Sequence, residues 1–240
     1  MKQALVKKGI VVAMDIPEPT TKQGFIKIKV LYSCVSAGTE MTGVVGSRKS
    51  LLKRAFEDPK KLKLAVDYIK NKGLKSTKNK LVAVSDSINT IGYSLSGVVS
   101  DIGEGVTGYN VGDFVSAGGS GFALHADYVN VPKNLVVKVP KGLHMSYAST
   151  GTVGSIAMQG VRRADLKLGE YVVVFGTGLL GLLSLQMLKA AGNRVACIDL
   201  NQDRLDLAKT LGAEIAINPT VEDPVMAINN WTQGYGSDAV

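Results

Sequence analysis

From Tyr171 to Leu188 the chain runs for 18 residues without a charged side chain. That length reaches the threshold for a membrane-crossing helix. Three glycines interrupt it, at 176, 178 and 181, and a β-branched run precedes them. A strand covered on both faces, a tight turn and a buried helix explain the segment better, because a doubly covered strand is continuously apolar. The membrane reading is rejected on that ground.

The glycines spell G-x-G-x-x-G where a strand closes and a helix opens. Gly176 permits the tight turn, Gly178 lets backbone approach a pyrophosphate, and Gly181 lets the helix pack closely on the strand. The free N–H groups of the helix start, at Gly178, Leu179 and Leu180, would face phosphates, with Thr177 inside the loop. Asp199 follows 18 residues after Gly181, at the end of the next strand. A carboxylate there accepts hydrogen bonds from adenosine ribose hydroxyls and repels a 2′-phosphate, so NAD is expected rather than NADP. Arg204 lies nearby and could soften that preference. The alternative is a glycine-rich turn in a similar domain that no longer binds a nucleotide.

The surrounding pattern fits an α/β fold. Strands are expected at 172–175, 195–198 and 214–218, and helices at 179–191 and 203–211, closed by Gly192 and Gly212. This βαβαβ order predicts a parallel sheet. A further helical stretch is expected to end near Gly234, and a fourth strand to begin at Val240. A half-built sheet is what such an end would leave, so a fragment of a longer protein is expected.

The first 140 residues read mainly as strands. Ile26, Ile28 and Val30 alternate with Lys27 and Lys29, the period of a half-buried strand. Short apolar runs at 127–131 and 136–139, set off by turns, suggest a small barrel-like β domain. Domains are expected at 1–145 and 146–240, with a helical insert at about 47–88.

That insert concentrates the charge. Residues 47–80 hold twelve Lys or Arg and three Asp or Glu, or +9, so the +8 of the whole chain leaves −1 elsewhere. One helix is expected from Asp58 as N-cap to Gly73, with Leu62, Ala65, Val66 and Ile69 on one face. A second is expected over 76–88. A solvated lysine face is the reading adopted, and an electropositive rim for an anionic substrate or partner is the alternative. Nucleic acid is not expected, since no binding motif accompanies the charge. Two cysteines, Cys34 and Cys197, build no disulfide scaffold, which points to a reducing cytoplasm.

The run from Gly97 to Val115, "GVVSDIGEGVTGYNVGDFV", resembles the barrel signature of the medium-chain dehydrogenase/reductase superfamily. "HADYV" at 125, "GVRRA" at 160 and the glycine loop follow in that family's order. The resemblance implies a GroES-like catalytic domain, then a Rossmann domain, with the active site in the cleft between them. Alcohol-oxidising members bind a catalytic zinc, and their ligand positions correspond here to Ala37, Tyr93 and a position near Thr152. The four-cysteine lobe of a structural zinc has no counterpart. Zinc ligand sets draw on Cys, His and carboxylates, and two Cys and two His are few. No metal is therefore expected, and Cys34 is read as a small hydrophobe filling space on a strand. The chain also resembles the front part of two-part oxidoreductases in which a zinc-less unit precedes a glucose–fructose-oxidoreductase-like module.

Without a metal, hydrogen-bond donors must stabilise oxygen charge, each typically worth about 3 kcal/mol. The resemblance places the family's proton-relay hydroxyl at Thr39 and a phenolic donor at Tyr93. His125 could act as acid or base, or be a polar residue at a strand start. Glu40 is read as bonding backbone around its turn, and Thr152 as sitting at a helix start near the nicotinamide. The resulting expectation is a zinc-independent, NAD-preferring oxidoreductase, homo-oligomeric, acting on a small polar alcohol or carbonyl, with an anionic compound or a sugar derivative among the candidate substrates. An NADPH-dependent quinone or enone reductase and a non-catalytic nucleotide sensor are the rivals.

Overall fold

The computed structural model describes residues 1–7, 9–38, 40 and 88–240. The chain divides into two compact units, Met1–Gly151 and Thr152–Val240. The helix expected from Asp58 to Gly73, and residues 76–87 of the second, lie outside the described residues. The last residue of that second helix is different. Ile88 opens a strand, because pairing with Lys7 satisfies its backbone and tertiary pairing overrides a weak helical phase.

The first unit holds two antiparallel sheets. One joins β1 (Lys2–Lys7), β2 (Ile10–Asp15) and β4 (Ile88–Thr90) in the order β2-β1-β4. The other joins β3 (Phe25–Ser33), β5 (Ser94–Ile102), β6 (Phe114–Gly118), β7 (Tyr128–Pro132) and β8 (Val136–Lys138). Its order is β7-β3-β5-β6-β8. The alternation read in β3 is borne out at Ile26 and Ile28, both fully buried in a core with Leu95, Val115 and Val131. Burying each such side chain stabilises the unit by roughly 1.5–3 kcal/mol.

A short helix, α1 (Met145–Ala148), is fastened to this sheet by serine hydroxyls. Ser94 Oγ donates to the Ser149 carbonyl at 2.6 Å, and Ser116 Oγ to that of Ala148 at 2.7 Å. Carbonyls at the end of a four-residue helix lack helical partners, so the strand hydroxyls supply them.

The second unit opens on α2 (Gly151–Arg163), whose first residue still belongs to the first unit by compactness. There follow β9 (Tyr171–Phe175), α3 (Leu179–Ala190), β10 (Arg194–Ile198), α4 (Gln202–Thr210), β11 (Ile215–Ile217) and α5 (Pro224–Trp231). The three strands are parallel in the order β11-β10-β9, so the βαβαβ reading holds with ends shifted by a residue or two. Val172, Val195 and Cys197 pack with Leu185, Leu188 and Leu205 on one face. Val173, Ala196, Ile198 and Ile217 pack with Ile228 and Trp231 on the other. Helices therefore cover both faces, which is why the strands are apolar throughout. Ala239 meets Val172 in a parallel bridge beyond β9, where the next strand was expected. Among the described residues no helix is long and apolar enough to cross a membrane.

Candidate functional site

The glycine loop joins β9 to α3, and each glycine has a distinct physical reason. Gly176 has φ +85°, a left-handed conformation that side chains rarely adopt. A Cβ on Gly181 would stand 1.9 Å from the Gly176 carbonyl oxygen, so only glycine lets the helix lie this close. At Gly178 a Cβ would meet no protein atom within 4 Å. That glycine keeps open a space which the fold itself does not fill.

The same loop presents donors to that space. Gly178 caps α3 without a side-chain hydrogen bond, and the first helical bond runs from Leu182 N to the Gly178 carbonyl at 2.9 Å. The N–H groups of Gly178, Leu179 and Leu180 therefore meet no acceptor among the described residues. Orphan donors at a helix start carry partial positive charge and suit a phosphate. The loop is not plugged by its own side chains: Thr177 turns inward and is buried.

Asp199 stands just beyond β10, with its carboxylate turned to this loop. Its Oδ2 accepts from Thr177 N at 2.7 Å and Thr177 Oγ1 at 3.0 Å, while Oδ1 accepts from Asn201 N at 2.9 Å. The Asn201 N–H is the main cause that holds this carboxyl below its usual range, helped by Thr177 and by the charge of Arg204. It is thus ionised and oriented, with a lone pair of Oδ1 left to accept a further hydrogen bond. The sequence placed Asp199 here; the Thr177 hydroxyl that anchors it had no local signal.

The first unit assembles a second polar group. His125, three residues before β7, is held at both ring nitrogens: Nδ1 lies 2.9 Å from Ser33 Oγ and Nε2 3.1 Å from Glu40 Oε2. The side chains of His125 and Glu40 are 12% and 7% exposed. A proton on Nε2 would be donated to Glu40, and Nδ1 faces a Ser33 hydroxyl that can either donate or accept. The Glu40 reading stands in part, since Oε1 accepts from Ser36 N at 3.3 Å. Its contact with His125, and the role of Ser33, were missed, because 85 and 92 residues separate the partners.

The other predicted residues fall as follows. Tyr93 precedes β5, and its carbonyl accepts from Gly119 N at 2.9 Å. Its segment runs against His125, whose N–H donates to the Ile91 carbonyl at 3.0 Å. Thr152 is the second residue of α2, at a helix start as expected. Thr39 lies outside the described residues. Cys34 corrects the expectation of a strand residue: it sits one position past β3, half-buried, with its N–H donating to the Ser94 carbonyl. Burial first, and the Glu40 carboxylate second, push its thiol up, which disfavours the reactive thiolate.

Residues 180–240 match the family model described as zinc-binding dehydrogenase. Over 250 aligned residues the chain is 29% identical to (R,R)-butanediol dehydrogenase of Bacillus subtilis, spanning 93% of this chain and 64% of that relative. The crystal structure of 2R,3R-butanediol dehydrogenase from Bacillus subtilis superposes with a TM-score of 0.72 at 25% identity, over 97% of this chain and 67% of that one. An Escherichia coli quinone oxidoreductase complexed with NADPH gives 0.75 at 16% identity, over 98% and 63%, and speaks for the fold alone. Together these likenesses support the medium-chain dehydrogenase/reductase superfamily and its pairing of a GroES-like with a Rossmann domain. The chain spans less than two thirds of the length of that first relative.

Ala37 carries no ligand atom, and among the described residues no three His, Cys, Asp or Glu side chains gather as a metal site would need.

Proposed function

We propose that the chain is part of an oxidoreductase that moves hydride between NAD(H) and a small polar alcohol or carbonyl without zinc, a sugar derivative being the favoured substrate. The observation that carries this reading is the glycine loop: three helix-start N–H groups that meet no acceptor among the described residues, beside open space at Gly178. A bound nicotinamide supplies the hydride chemistry, and the protein's share is binding, orientation and proton handling. The backbone N–H groups of residues 178–180 would bind the diphosphate, and Asp199 the ribose. His125 is the candidate acid or base, oriented by Glu40 and Ser33, and Tyr93 and Thr39 are candidate donors to substrate oxygen.

Nicotinamide fluorescence titrated with NADH and with NADPH tests this directly. NADH is expected to bind more tightly, and Asp199→Ala to weaken NADH by about tenfold or more while narrowing the preference. A clear preference for NADPH in the unaltered protein would overturn the role given to Asp199 and favour the quinone reductase reading. Absence of binding by either dinucleotide would remove the proposal altogether.

A further inference from the structure

Thr177 lies between two glycines of the loop, yet its side chain turns away from solvent. It is 1% exposed, so a dinucleotide on the loop would find that hydroxyl already covered. What the hydroxyl touches is Asp199. Oδ2 of that carboxylate accepts from Thr177 Oγ1 at 3.0 Å and from Thr177 N at 2.7 Å. Oδ1 accepts from Asn201 N at 2.9 Å.

A carboxylate offers about four lone pairs on its two oxygens. Thr177 occupies both places on Oδ2 and Asn201 one on Oδ1, which leaves one lone pair of Oδ1. Hydrogen bonds to an ionised acceptor are the stronger ones, and burial of the donor strengthens this one further. Any rotation of the carboxylate would break the bond to Thr177 Oγ1. With the backbone N–H alone on Oδ2, that rotation would be freer.

We infer that Thr177 is a positioning residue, whose hydroxyl fixes the Asp199 carboxylate in the orientation that favours NADH over NADPH. The inference rests on the dinucleotide-binding reading above. A fixed carboxylate keeps its free lone pair ready for a ribose hydroxyl, with little side-chain freedom left to lose on binding. It also cannot swing away from a 2′-phosphate, so the like charges repel at close range. Both effects act on the difference between the two cofactors. A hydroxyl that merely held the loop together would act on both alike, because each carries the same diphosphate.

Thr177→Val removes the hydroxyl while keeping the β-branched shape and the backbone N–H. Fluorescence titration is expected to show NADH affinity about fivefold lower and NADPH affinity changed by less than about twofold. Thr177→Ser, which keeps a hydroxyl, should retain the original ratio. In an Asp199→Ala background, Thr177→Val should cost no further NADH affinity, since the group it positions is gone. Equal losses for NADH and NADPH, or additive losses in the double variant, would overturn the inference. Should Thr177→Val fail to fold, which a thermal melt would reveal, Thr177→Ala removes the same oxygen and is read in the same way. Unaltered protein that binds neither dinucleotide, or prefers NADPH, removes the proposed function and this inference together. An NADH preference that survives loss of the hydroxyl unchanged removes this inference alone.

Discussion

The glycine loop and the His125 group are polar sites of opposite construction. The loop is contiguous: Gly176 to Gly181 bring their donors together because a strand, a turn and a helix follow directly in the chain. The His125 group is assembled from three separated segments, and its two contacts span 85 and 92 residues. In the loop the functional atoms are backbone amides, so side-chain identity matters by what it leaves out. In the other group the functional atoms are side chains held by other side chains. A site of the first kind announces itself by spacing, and one of the second kind exists only after folding.

Substituting the two later glycines sharpens the contrast most. Gly181→Ala places a methyl 1.9 Å from a carbonyl oxygen and is expected to cost about 3 kcal/mol or more, read as a lower urea midpoint. Gly178→Ala meets no protein atom and should cost less than about 1 kcal/mol, while still weakening NADH binding. Equal effects of the two on stability would deny that they do different work.

Glu40→Gln comes next in size. Removing the charge beside a half-buried imidazole is expected to cost about 1–2 kcal/mol in chemical denaturation, with NADH affinity unchanged. A parallel loss of NADH affinity would show that the two sites are not energetically separate.

The smallest effect contrasts the two cysteines. Burial pushes the Cys197 thiol up to about 11 from 9.0. Its folded value lies above the unfolded one, so the stabilisation is complete below pH 9 and is lost as pH rises towards 11. Stability should therefore fall across that window, and the fall should flatten in Cys197→Ala. Thiol labelling at neutral pH should find Cys34 slow and Cys197 slower, since Cys197 is fully buried.

Much of the second unit was legible before folding. Val172–Val174 and Val195–Ile198 are apolar throughout because helices cover both faces, and Gly176, Gly178 and Gly181 mark where backbone must turn or approach closely. Asp199 was found by its distance from the loop. In the first unit the alternation of Ile26 and Ile28 with lysines gave β3, but Ile88 was misassigned to a helix, since three residues carry too little period to outweigh a pairing made elsewhere. Cys34 was placed on a strand because its neighbours look like one; the strand stops at Ser33.

The amino-acid order by itself determined the α/β plan of the second unit and its glycine loop, because turn geometry and helix polarity act over neighbouring residues. Only the tertiary structure decided that Ser33 and Glu40 reach His125, and that Ser94 and Ser116 fasten α1 to the sheet. Those facts depend on which strands pair and in what register. Pairing is settled by the burial of Ile26, Ile28 and Leu95 in a shared core, and not by anything the polar residues themselves display.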